Sequence, residues 1–266
     1  MIACTSSFRK LKVEQQKILD FSVLICHSIP NLKKTIKGQT ENIPYFSVPP
    51  PEYFNQEPNE RLTRLSSDYK KDLSKYILIS AFSFFESYFR SVVKELLEFH
   101  GGKEAYIQTA LSRHKRLIQN RNIQEINKLQ EPIKKKNREK YLKLIQILDN
   151  NPLYNRPSDI FGPFGIKYIS DLVLSDNFRS VMIPDILEYG FLMNLDELVN
   201  KHPDLSSKSL RETFEIMRNY RNSIGHGDVL DINFPKTMEF IRFLRHFATK
   251  IDKHLVKYFF ILERYE

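Results

Sequence analysis

The groups best suited to chemistry in this chain fall in one short stretch, Met217-Arg218-Asn219-Tyr220-Arg221-Asn222-Ser223-Ile224-Gly225-His226-Gly227-Asp228. Arg221 carries a permanent cation, Asn222 an amide that donates and accepts, and His226 an imidazole that exchanges protons near neutral pH. Together such groups can grip an anionic oxygen and move a proton beside it. Leu210, Phe214, Met217 and Ile224 recur at helical spacing, which predicts an amphipathic helix over 206–224 with Ser206 or Ser207 as its N-cap. Continued 100° steps bring Arg221 within about 20° of Leu210, inside the apolar stripe. A guanidinium there needs a carboxylate, a partner chain or an anionic ligand, because burying it unpaired is costly. Gly225 and Gly227 bracket His226 and are expected to end the helix. His226 then either transfers protons or caps the last carbonyls.

The order Arg-Asn-x-x-x-His followed by Gly, late on a core helix of an all-helical chain, resembles the HEPN superfamily. In particular it resembles the bacterial RiboL-PSP-HEPN ribonucleases of toxin and anti-phage defence systems. Arg221 and His226 form the only Arg-x4–6-His match in the sequence. The aromatic-rich run Phe84-Phe85-Glu86-Ser87-Tyr88-Phe89 is similar to the helix that carries an acidic residue in proteins of that type. The resemblance implies an antiparallel helical bundle and a metal-independent endoribonuclease with no cofactor. It also implies a homodimer whose composite site holds both arginines and both histidines, with RNA as substrate and an antitoxin or defence-system protein as partner. The competing class is a non-catalytic HEPN-like module that binds RNA or a nucleotide and dimerises. Arg221, Asn222 and His226 together favour catalysis, since binding alone tolerates Lys for Arg and needs no titrating imidazole. A third possibility makes an Arg221–Glu86 pair purely architectural.

In metal-free RNA cleavage the 2′-hydroxyl attacks its own adjacent phosphorus. A base takes its proton, an acid protonates the departing 5′-oxygen, and cations hold the phosphorane charge. His226 suits proton transfer, Arg221 the non-bridging oxygens, and Asn222 the phosphate or the orientation of the imidazole. Asn222 and His226 are an i,i+4 pair and face alike, whereas Arg221 and His226 diverge by about 140° on an ideal helix. All three converge only if the helix unwinds at Gly225 or a second copy of the site completes the first.

The elements that must position these groups follow from the apolar periodicity. A first helix is predicted over 8–29, ending before Pro30, followed by a Pro-rich connector over 31–59 whose Tyr45, Phe46, Tyr53 and Phe54 pack along the domain. An unbroken helix over 61–99 follows, with Ile77, Leu78, Ala81, Phe84, Phe85, Tyr88, Phe89, Val92 and Leu96 as its apolar band. Glu86 falls at the edge of that band. It either meets Arg221, each compensating the other's desolvation, or reaches out to water as a boundary residue. Gly101-Gly102 breaks the helix, short helices occupy 166–205, and a terminal helix spans 234–264. The whole reads as one all-α domain over 1–266, a HEPN-like antiparallel bundle built from 8–29, 61–99, 206–228 and 234–264. Additional helices sit in a basic insert over 103–205.

The chain is 266 residues long with a net charge of +9, and that charge is concentrated. Between Arg113 and Lys143 stand eleven Lys or Arg against three Glu, a local excess of +8. Arg113, Lys115, Arg116, Lys134, Lys135, Lys136 and Arg138 are therefore candidate RNA contacts, or else a solvated helix face. Only Cys4 and Cys26 are present, without CxxC or Cys/His clustering, which argues against a disulfide framework or structural zinc and fits a reducing cytoplasm. No secretory signal, membrane span, P-loop, GxGxxG, GxSxG or HExxH is legible.

Overall fold

A computed structural model describes residues 3–48, 57–118, 169–191, 193–199, 208–228 and 232–262, with the side chains at 111, 113–118 and 189 excepted. The fold is all-α; among the described residues the only extended pairing is a single antiparallel bridge between Leu198 and Ser209. Its main helices are α1 (Ser6–Thr40), α2 (Asn59–Ser67), α3 (Tyr69–Phe99), α4 (Lys103–Ile118), α5 (Leu210–Gly225) and α6 (Phe234–Tyr258). Residues 169–174 and 180–190 add short helical turns.

Helix α3 is the central element because its side chains are apolar on more than one face. Phe82, Phe85, Phe89, Val92 and Val93 are completely buried. Each such phenylalanine contributes on the order of 2 kcal/mol of burial. Phe85 stacks on Phe247 of α6 and tilts against Phe214 of α5, so one ring ties three helices together. Directions follow from the pairings. The start of α1 meets the later part of α3 through Ser6, Ser7 and Glu95, whereas Ile18 and Phe21 lie beside Leu73 and Tyr76, so α1 and α3 are antiparallel. Tyr88 of α3 donates to the Ala248 carbonyl of α6 at 3.3 Å and His100 meets Phe259, so α3 and α6 run the same way. The pairs Phe214–Phe247 and Tyr220–Phe240 set α5 antiparallel to α6.

Several boundaries differ from the sequence expectation, each for a physical reason. Helix α1 continues through Pro30 to Thr40. Pro30 is solvent-exposed, and Ile36 and Gly38 give the added turns a buried side. Within the connector, Phe46 lies over Gly38 so closely that a Cβ there would come within 2.6 Å of the ring. Tyr45 is fully exposed and does not pack, and residues 53 and 54 lie outside the described residues. The helix expected over 61–99 is two helices divided at Asp68. The terminal helix stops at Tyr258 because Phe259 and Phe260 turn inward, the first against Phe191 and the second against Phe99. Gly101 and Gly102 take φ of 85° and 100°, as a break after α3 requires.

Candidate functional site

The N-cap of helix α5 lies two or three residues later than the apolar spacing indicates. Ser209 is the N-cap, its hydroxyl accepting from the Glu212 amide while the Glu212 carboxylate accepts from the Ser209 amide, a reciprocal capping box. Ser209 is also held in extended geometry by the bridge to Leu198, with the Leu210 amide donating to the Glu197 carbonyl at 3.0 Å. Leu210, Thr213, Phe214 and Met217 form the buried face. Arg211 locks the first turn to the segment 183–190. It bonds Asp185 at 3.1 Å from both terminal nitrogens and pairs with Glu188, with Glu215 at 3.8 Å.

At the other end of α5 the anticipated pair is present. Arg221 Nη2 lies 3.7 Å from Glu86 Oε2, an ion-pair contact longer than a hydrogen bond. Arg221 Nη1 donates to Asn222 Oδ1 at 3.1 Å, and the guanidinium carbon lies 5.9 Å from the Phe82 ring centroid. The Arg221 side chain is 36% exposed and that of Glu86 is 22% exposed. Arg221 thus sits at the outer limit of the apolar stripe, steadied by three neighbours and open to solvent on its remaining surface.

His226 is the C-cap of α5 and is exposed. The helix closes with the Gly227 amide donating to Ile224 at 3.1 Å and the Asp228 amide to Ser223 at 2.9 Å. That is a Schellman closure, and it needs the left-handed φ of 82° at Gly227. Gly225 stays helical and only Gly227 terminates, so the helix does not unwind at Gly225. The angular divergence of Arg221 and His226 therefore persists within one chain. Among the described residues the imidazole makes no hydrogen bond or ion pair, so capping of the carbonyls falls to backbone amides and not to the ring.

Arg113, Lys115 and Arg116 lie on the last turns of α4, their side chains outside the described residues. Lys134, Lys135, Lys136 and Arg138 lie outside the described residues altogether. Two grooves, of about 250 and 630 Å³, run between α1 and α3, and neither is lined by Arg221 or His226. Among the described residues no three His, Cys, Asp or Glu side chains cluster as metal ligands, and no helix is long and apolar enough to cross a membrane. Sequence periodicity did not single out Phe82 as a platform for Arg221, nor Arg211 as an anchor. The first sits one turn before Glu86 on the same helix, a signal that was available; the second depends on Asp185 and Glu188, far away in the chain.

The RiboL-PSP-HEPN family model matches residues 53–257, most of the chain, and the protein belongs to that family. No curated protein and no solved structure matches it. Family membership agrees with the all-α architecture and points to a nuclease or RNA-binding function.

Proposed function

We propose that the protein is a metal-independent endoribonuclease, acting in the cytoplasm as a toxin or anti-phage defence effector, with its site shared between two copies of the chain. The chain is taken as one helical domain whose HEPN-like core carries a basic insert. The observation that supports this function best is the state of Arg221. It is held by Glu86, Asn222 and Phe82 yet keeps over a third of its surface open, on the same helix end as an unengaged imidazole. That leaves part of the Arg221 side chain accessible to an anionic ligand.

In the proposed reaction the 2′-oxygen forms a bond to the adjacent phosphorus as one neutral His226 takes its proton. The bond from phosphorus to the 5′-oxygen breaks as a second, protonated His226 supplies a proton to that oxygen. The products are a 2′,3′-cyclic phosphate and a 5′-hydroxyl. Arg221 binds the non-bridging oxygens where charge builds in the transition state, and Asn222 and Glu86 fix the guanidinium. Two imidazoles in opposite protonation states require two chains, since each carries His226 once on an intact helix end.

The test is incubation with total RNA in EDTA, beside His226→Ala and Arg221→Ala. The expected outcome is cleavage that persists in EDTA and is absent from both variants, with 5′-hydroxyl ends on the products. Wild-type protein that leaves RNA intact but retains it in a salt-sensitive manner is instead the binding module.

A further inference from the structure

Helix α5 carries three arginines, and their surroundings differ. Arg211 is surrounded by Asp185, Glu188 and Glu215, and Arg221 has Glu86. Arg218 has no carboxylate within ion-pair distance among the described residues. Among the described residues its one side-chain hydrogen bond is a long one, 3.4 Å from Nη2 to the neighbouring Asn219 Oδ1, and its buried Nε has no acceptor. A buried guanidinium nitrogen lacking a partner is unfavourable. Its neighbour Arg221, three residues on, adds like-charge repulsion instead of relief. Folding alone gives no reason for this placement.

The position supplies one. Arg218, Asn222 and His226 stand at i, i+4 and i+8, a single row along one face of α5. Arg218 lies about one turn from Arg221, on the side away from His226. We propose that Arg218 binds the phosphodiester flanking the scissile one through its two terminal nitrogens, the two-pronged grip that guanidinium makes on phosphate oxygens, while its buried Nε stays out of contact with the ligand. The assignment rests on the ribonuclease function proposed above and extends it, because a strand that runs from His226 along the row passes Asn222 and reaches Arg218 one turn further on.

The decisive measurement uses His226→Ala protein, which binds without cutting, and a random-sequence single-stranded RNA of about 20 nucleotides, with affinity followed against salt. Adding Arg218→Gln is expected to make the slope of log K against log salt shallower by about 0.7, the loss of one phosphate contact to a single strand. Arg218→Lys is expected to restore the slope but not the full affinity, since the charge returns without the fork. With His226 present, Arg218→Gln is expected to lower kcat/KM about tenfold on the long RNA and to leave dinucleotides, which have no flanking phosphate, unchanged. An unaltered salt slope, or equal losses on both substrates, overturns the assignment of Arg218. Wild-type protein that neither binds nor cuts RNA overturns the ribonuclease function itself. Matched thermal melting of the Arg218 variants and their parents keeps misfolding from imitating either result.

Discussion

Arg211 and Arg221 are ten residues apart on one helix, and the carboxylates around them differ in number and reach. Arg211 meets Asp185 and Glu188 from a distant segment, so its charge is consumed in holding α5 against the fold. Arg221 meets one carboxylate at 3.7 Å and remains partly open. An ion pair as exposed as this one contributes little to stability, about 1 kcal/mol or less. Glu86 is better understood as aiming the guanidinium than as holding the bundle together. Glu86→Gln preserves shape and removes the charge. We expect its stability in chemical denaturation to fall by no more than about 1 kcal/mol, while initial cleavage rates fall about tenfold or more because the arginine loses its fixed direction. A loss of several kcal/mol with unchanged activity per folded molecule would make the pair architectural.

At the scale of elements, the start of α1 is fixed by two carboxylates from other helices. Glu95 of α3 accepts from the Ser6 and Ser7 amides and the Ser7 hydroxyl, at 2.7 to 2.9 Å. Asp252 of α6 accepts from the Thr5 amide and hydroxyl. Burial pushes the Glu95 carboxyl up, but the hydrogen bonds from Ser7 and Ser6 outweigh it and leave its pKa below the usual value of 4.5. Burial raises Asp252, with its bonds from Thr5 opposing. A carboxylate depressed on folding stabilises above its unfolded pKa, and that contribution is lost as pH falls through the folded value. Glu95→Gln is therefore expected to cost about 1 kcal/mol at pH 7. The difference from wild type should shrink below about pH 4.5, read from denaturation midpoints at several pH values. A difference that stays constant to pH 3 would show that the charge is not what caps α1. These contacts also mark what the sequence could disclose. Periodicity exposed α1, α3, α5 and α6 but ran α2 and α3 together, and Gly101-Gly102 announced the end of α3. The Ser209-x-x-Glu212 pattern was present too, but the true start of α5 depends on a backbone bridge to Leu198 that apolar spacing does not report. Likewise Pro30 reads as a stop in isolation, and only the burial of Ile36 and Gly38 beyond it explains why the helix goes on. Arg221, Asn222 and His226 stand out as candidates because their types and spacing are local, and Glu86 because a carboxylate at the edge of an aromatic band is conspicuous; only the Arg221–Glu86 contact is a geometric finding. Arg218 does not stand out, since its character lies in what fails to surround it.

For the molecule as a whole, the unresolved demand is geometric. Helix α5 stays intact through Gly225, so in one chain Arg221 and His226 leave the helix axis about 140° apart. The reaction proposed above also needs an acid and a base, and one chain supplies one His226. A two-fold pairing of chains meets both demands, because each copy then offers its arginine and histidine to a common cleft in a self-complementary interface. Subunit mixing tests this without any knowledge of the interface. If a fixed amount of wild type is equilibrated with increasing His226→Ala protein, exchange converts wild-type pairs into mixed pairs having one imidazole. Activity is then expected to fall toward zero as the inactive partner passes severalfold excess, following the vanishing fraction of wild-type pairs. A site complete within one chain predicts the opposite. With RNA in excess over all protein, cleavage by the wild-type subunits would be indifferent to the added variant, and that flat response would rule out the shared site.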